Sequence, residues 1–331
     1  MLLWLRAVGL VGQAVSIGGA IFAVAVVRPS RPSDPARALD RVLALVTWGA
    51  LLAAAAQVGV LVALASAMGD DASWPLGAVL DSTVGVIGLI RIAVALAGAA
   101  VAHMLRRHPG STTLGALLVS GGALLALTGA LASHAVGRVD GGVWLVAVGA
   151  LHHAAAATWV GGLVCAAVLT LRSNLAASES WLRPFSRLAL AAVTALALTG
   201  AALSLAYIAS PAAAIGTSYG AMTLTKIVLF IAMLTMGALN HRALHGRPGT
   251  GSWLASGAGA APDLPPSGSL VFRRRLEVEA GLAIVTVFLA ASIGSAPPAA
   301  DVQDQRASLA EIRSVFTPEP EAPGTSHGPR R

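Results

Sequence analysis

Uninterrupted apolar stretches of about 20 residues or more recur along this chain, and they constrain its fold more than any other feature. A helix rises about 1.5 Å per residue, so roughly 20 apolar residues cross the hydrocarbon core of a bilayer. Eight such segments can be drawn, at residues 2–27, 39–68, 77–102, 112–134, 143–171, 185–209, 218–240 and 272–295. Inside hydrocarbon each backbone polar group must be satisfied within the protein, which leaves helices as the form these segments take. The expected fold is all-α: a polytopic membrane protein of about eight transmembrane helices. The first segment follows no basic n-region and is longer than a signal-peptide core, so it is expected to remain as a helix.

Charge placement predicts an orientation. The connections after spans one, three, five and seven carry four arginines from Arg28 to Arg41, then Arg106, Arg107, Arg172, Arg183, Arg187, Arg242, Arg247 and the run Arg273 to Arg275. Those after spans two, four and six carry only Arg138. By the positive-inside rule the odd connections are cytoplasmic and both termini lie outside the cytoplasmic membrane. The excess of Lys and Arg over Asp and Glu, 22 against 15, is then explained by topology. It does not argue for a nucleic-acid partner.

Residues 1–296 read as one membrane domain. Within it, 246–270 is rich in Gly, Ser, Ala and Pro and is expected to be a flexible cytoplasmic loop. Residues 297–331 shift to proline, acidic and polar residues and read as a disordered extracytoplasmic tail with a short helix near 307–316. Cys165 is the single cysteine, which excludes an intrachain disulfide and a cysteine-rich metal site.

A faint internal repeat runs through the spans. Gly18-Gly19 matches Gly161-Gly162, Gly85 with Arg91 matches Gly220 with Lys226, and the run after Arg41 resembles the run after Arg187. Two four-helix halves in parallel orientation are expected from it.

Leu151 to Leu163 is the stretch richest in chemistry: two histidines in an apolar run without charge. At helical spacing His152, Ala156, Trp159 and Leu163 share a face. Imidazole in hydrocarbon needs a hydrogen-bond partner, a metal or a cofactor. His134, at the end of span four, is joined to span five by a short connection, so its ring can approach that of His152 in the outer half of the bilayer. His153 points about 100° away from His152. Met222 supplies a thioether at comparable depth, and imidazole with thioether suits copper. The alternative for each is a histidine bonded to a helix carbonyl and a methionine that fills space.

Arg91 and Lys226 lie too deep to reach the surface readily and require a carboxylate, a carbonyl or water. Asp81, at the outer end of span three, and Glu277 and Glu279, in the first turns of span eight, are the candidate acids. His103, His108, His241 and His245 sit at span ends and read as solvated. Cys165 reads as an inert small hydrophobe, and His327 as a tail residue exposed to water.

The motifs resemble the copper resistance D family, the CopD-type inner-membrane proteins. Ser133-His134-Ala135 resembles the family's Gly-His-Ala and is followed by His152 and Trp159-Val160-Gly161-Gly162-Leu163. Phe185-Ser186-Arg187, Thr199-Gly200, Tyr219-Gly220 with Lys226, Asn240, and the run Arg274 to Glu279 ahead of Pro297-Pro298 extend the likeness. The most family-specific part is 130–296. Gly149 departs from it, since the family often has an acid three residues before the histidine matched by His152. The resemblance implies copper as the ion handled, import from the outer face toward the cytoplasm, and a periplasmic CopC-type copper-binding partner. It implies carriage of an ion and not enzymatic turnover. No Gly-x-x-x-x-Gly-Lys-Ser/Thr motif is present for nucleotide binding. A haem-binding membrane electron carrier, with histidines on facing helices, and a non-transporting scaffold for the copper-binding partner are the competing readings.

Overall fold

In a computed structural model, residues 1–30, 32, 34–69, 75–132, 142–171, 180–208, 210–245, 266–293 and 299–302 are described, with side chains at all of these except 76, 240–245, 266–273 and 293. Helix α1 (Leu2–Phe22) continues through a π-helical turn (Ala23–Val27) into the short α2 (Arg28–Ser30). Then come α3 (Pro35–Met68), α4 (Leu76–Asp81), α5 (Thr83–Arg107), α6 (Thr112–Leu131), α7 (Gly142–Leu171) and α8 (Leu182–Tyr207). The chain goes on through α9 (Pro211–Gly216), α10 (Ser218–His245), α11 (Pro266–Ile293) and a 3-10 turn (Ala299–Asp301). No strand occurs among the described residues. Among the described residues seven helices are long and apolar enough to cross a membrane. Helix α11 is of similar length but carries Arg274, Arg275, Glu277 and Glu279 in its first half and is not one of the seven.

Helix starts follow local chemistry. The Asp34 carboxylate accepts from the Arg37 amide at 3.1 Å, with Pro35 in the first turn of α3. The Ser111 hydroxyl accepts from the Leu114 amide at 3.2 Å to start α6.

Several boundaries differ from the sequence reading, two of them with consequences for the fold. The segment expected as one span over 77–102 is broken at Ser82, whose hydroxyl accepts from the Gly85 amide at 3.1 Å and starts α5 anew. The last long helix begins at Pro266, so residues 266–270 are helical and not part of a loop. Residues 246–265 and the tail beyond 302 lie outside the described residues.

One helix contact corresponds to the expected repeat. A Cβ built on Gly18 would strike the Ala157 carbonyl and lie 2.7 Å from Gly161 Cα; one built on Gly161 would strike the Ala14 carbonyl and lie 2.8 Å from Gly18 Cα. The contact is reciprocal, Ala14 answering to Ala157 and Gly18 to Gly161, as at a two-fold axis. Only glycine lets the two backbones approach this closely.

Smaller details repeat as well. Short helix α4 leads to Ser82, which caps Gly85, and short helix α9 leads to Thr217, whose hydroxyl accepts from the Gly220 amide at 3.0 Å. Arg91 and Lys226 each stand six residues beyond the capped glycine. Pairings match too: α1 with α3 as α7 with α8, α5 with α6 as α10 with α11, and α6 with α7 as α11 with α1. One pairing breaks the symmetry. Helix α3 packs along α5, whereas α8 meets α10 at only a few residues. Most of α1 and α7 is buried at the centre of the bundle, while α8 and α10 are largely exposed around it.

Candidate metal centre

His152 and His153 are consecutive on α7, so their side chains leave the helix about 100° apart and meet different neighbours. His152 Nδ1 lies 3.0 Å from the Thr199 hydroxyl of α8. That hydroxyl also lies 2.6 Å from the Ala195 carbonyl and 3.3 Å from that of Leu196. When the single hydroxyl proton goes to the backbone carbonyl, the oxygen accepts from Nδ1–H. In the Nδ1–H tautomer the Nε2 lone pair is left over, the arrangement in which an outer hydrogen bond orients a histidine ligand. Gly200 keeps the adjacent edge clear: a Cβ there would sit 3.4 Å from His152 Cε1.

His153 faces α5 and α6 instead. Around Gly129 of α6, a Cβ would lie 3.4 Å from Arg91 Nη1, 3.6 Å from Gln13 Nε2 and 3.8 Å from His153 Cδ2. Arg91 is fixed by two amides: its Nη2 donates to Gln13 Oε1 at 2.7 Å and its Nε to Gln57 Oε1 at 3.2 Å. Gln13 in turn donates to the Leu125 carbonyl at 3.2 Å. Arg91 and Lys226 both act electrostatically on His153, and Lys226 also acts on His152.

The other candidates are placed as follows. Met222 is half-buried one turn before Lys226 and shares its helix face. Trp159 is buried and stacks edge-on against Phe230 with ring centroids 5.6 Å apart, which ties α7 to α10. Glu279 is not in the first turns of its helix, because α11 begins at Pro266. It is buried in the middle of α11, its carboxylate 3.2 Å from where a Cβ on Gly237 would be. Cys165 is fully buried and reduced, packed against Gly19. Gly149 packs against Ala130. His134 lies outside the described residues. Among the described residues no three His, Cys, Asp or Glu side chains are grouped to hold a metal.

Three polar residues carry roles that their own helix patterns did not assign. Gln13 and Gln57 are the only glutamines in the apolar spans, a composition signal that was available. Thr199 belongs to a motif quoted for the family likeness, but only the fold shows it against His152.

Two family models match the chain. "Copper resistance protein D-like, N-terminal domain" covers residues 1–143, and "Copper resistance protein D" covers residues 179–293. The chain belongs to the copper resistance protein D family. No curated protein and no solved structure matches it. Family membership and seven apolar helices make this a multi-pass membrane protein with a role in copper resistance or handling. In this family member, α7 with both histidines lies mostly between the two matched segments.

Proposed function

We propose that this protein imports copper, taking it at His152 from the extracytoplasmic side and passing it toward the cytoplasm beside α7. The observation that carries the reading is the His152–Thr199 hydrogen bond, which fixes the ring and frees Nε2 for a metal. The ion is cargo and not a resident cofactor. The sparse packing of α8 against α10 supports a route on that side of α7. His134 and Met222 complete an imidazole and thioether donor set suited to copper, with His153 at the inner side of the same turn. Trp159 and Glu279 line the route from α7 to α10 and α11.

The arginine asymmetry supports extracytoplasmic termini in the cytoplasmic membrane. A CopC-type copper-binding protein on that side is the partner that fits this polarity. The protein carries the ion without chemically transforming it.

Metal analysis and an absorption spectrum of the detergent-purified chain test the reading, beside a His134→Ala, His152→Ala double variant. Near-stoichiometric copper without a Soret band, lost in the variant together with copper uptake into proteoliposomes, is expected. A Soret band lost in the variant would replace this reading with a haem-binding electron carrier. Neither signal, with binding of a copper-carrying partner retained, would leave a scaffold.

A further inference from the structure

The His152–Thr199 hydrogen bond joins α7 to α8 part-way along both helices. Leu145 stands seven residues before His152, and Tyr207 eight residues after Thr199. By helical rise these steps are about 10 Å and about 12 Å. Leu145 and Tyr207 are both buried and pack together, so the two helices are antiparallel and both steps lead to the same end of the bundle. The arginine asymmetry assigns that end to the extracytoplasmic side.

Helix α10 closes the layer from a third side. Tyr219, at its start, meets Tyr207 edge-on with ring centroids 6.2 Å apart and packs with Val146 and Leu203 against the same cluster. Helices α8 and α10 share few other contacts, so this ring pair largely decides whether they stay together. In the other half of the bundle α3 packs along α5, and closure does not depend on one pair of rings. The start of α10 is tied to α9, since the Thr217 hydroxyl accepts from the Gly220 amide at 3.0 Å and a Cβ on Gly220 would strike the Ala214 carbonyl. Eleven residues beyond Tyr219, Phe230 holds α10 to α7 through Trp159. That contact is a pivot about which α9 and the start of α10 swing away from α8, at the cost of little besides the aromatic contact.

We propose that Tyr207 and Tyr219 form an outer gate over His152. Closed, the ring pair and Leu145 seal the extracytoplasmic end of the α7–α8 interface; parted, they admit a cation to the imidazole. The gate takes its cargo from the copper reading and rests on it for that alone.

The experiment uses copper-free full-length protein in sealed membrane vesicles, so that a failure of the gate and a failure of copper binding are read separately. Cys165→Ala removes the one native thiol, and Gly200→Cys sets a new one beside the His152 ring. Its reaction with a membrane-impermeant cationic methanethiosulfonate is timed in right-side-out vesicles. Adding Tyr207→Ala or Tyr219→Ala is expected to speed the reaction roughly tenfold or more, as for loss of an aromatic pair and its buried area. Tyr207→Phe and Tyr219→Phe keep the rings and are expected to leave it slow. In inside-out vesicles the alanine variants are expected to match the parent. Alanine variants no faster than the parent from the outer face, or faster from both faces alike, overturn the proposal.

Discussion

The Thr199 hydroxyl holds His152 through Nδ1 at 3.0 Å while giving its own proton to the backbone of α8. The imidazole of α7 is therefore oriented by a neighbouring helix. Replacing Thr199 by valine keeps the shape and removes the acceptor. Copper affinity, read by competition with a chelator of known strength, is expected to fall roughly 10- to 100-fold in Thr199→Val and to recover in Thr199→Ser.

Gly200 tests the same site by volume. A small side chain meets the ring edge at ordinary contact, whereas a branched one must displace it. Gly200→Ala is expected to retain bound copper and Gly200→Val to lose it, with both variants retaining helical circular dichroism. Equal copper content in the two would place the metal elsewhere.

The glycine contact between α1 and α7 gives a stability prediction. Gly161→Ala and Gly18→Ala each drive a methyl into a backbone carbonyl of the opposite helix, and each is expected to destabilise the fold by about 1–3 kcal/mol or more. The double variant is expected to fall short of the sum, since both changes separate one contact. Thermal unfolding in detergent, with all three variants side by side, measures this.

Gln13 and Arg91 couple α1 to α5. Gln13→Leu removes an acceptor at 2.7 Å from the guanidinium and is expected to cost roughly 1.5–3 kcal/mol, the range for hydrogen bonds to charged groups. Gln13→Glu restores the acceptor and is expected to recover stability in the same unfolding assay.

Local patterns made most of the fold legible. Apolar runs located the spans because burial in hydrocarbon is read along a single helix, and the glycine pairs pointed to a repeat whose reciprocal contact the structure displays. The break at Ser82 was missed because a serine cap inside an apolar run leaves hydropathy unchanged. Glu279 was placed too near a helix end because the α11 start lies in a stretch that reads as loop. Arg91 was expected to need a carboxylate, a carbonyl or water, and the fold supplies the side-chain carbonyls of Gln13 and Gln57, which its own helix could not point to. The environments of His152 and His153 depend on how α8 and α6 are rotated against α7, which no spacing within α7 reveals.

The reciprocal meeting of Gly18 with Gly161 has the form of a two-fold seam within one polypeptide. A side chain added on either side strikes the backbone of the opposite helix, so neither side can be altered alone. The side that holds Arg91 between two amides is braced, whereas α8 and α10 on the other side barely meet, and one seam thus divides a stiff flank from a looser one.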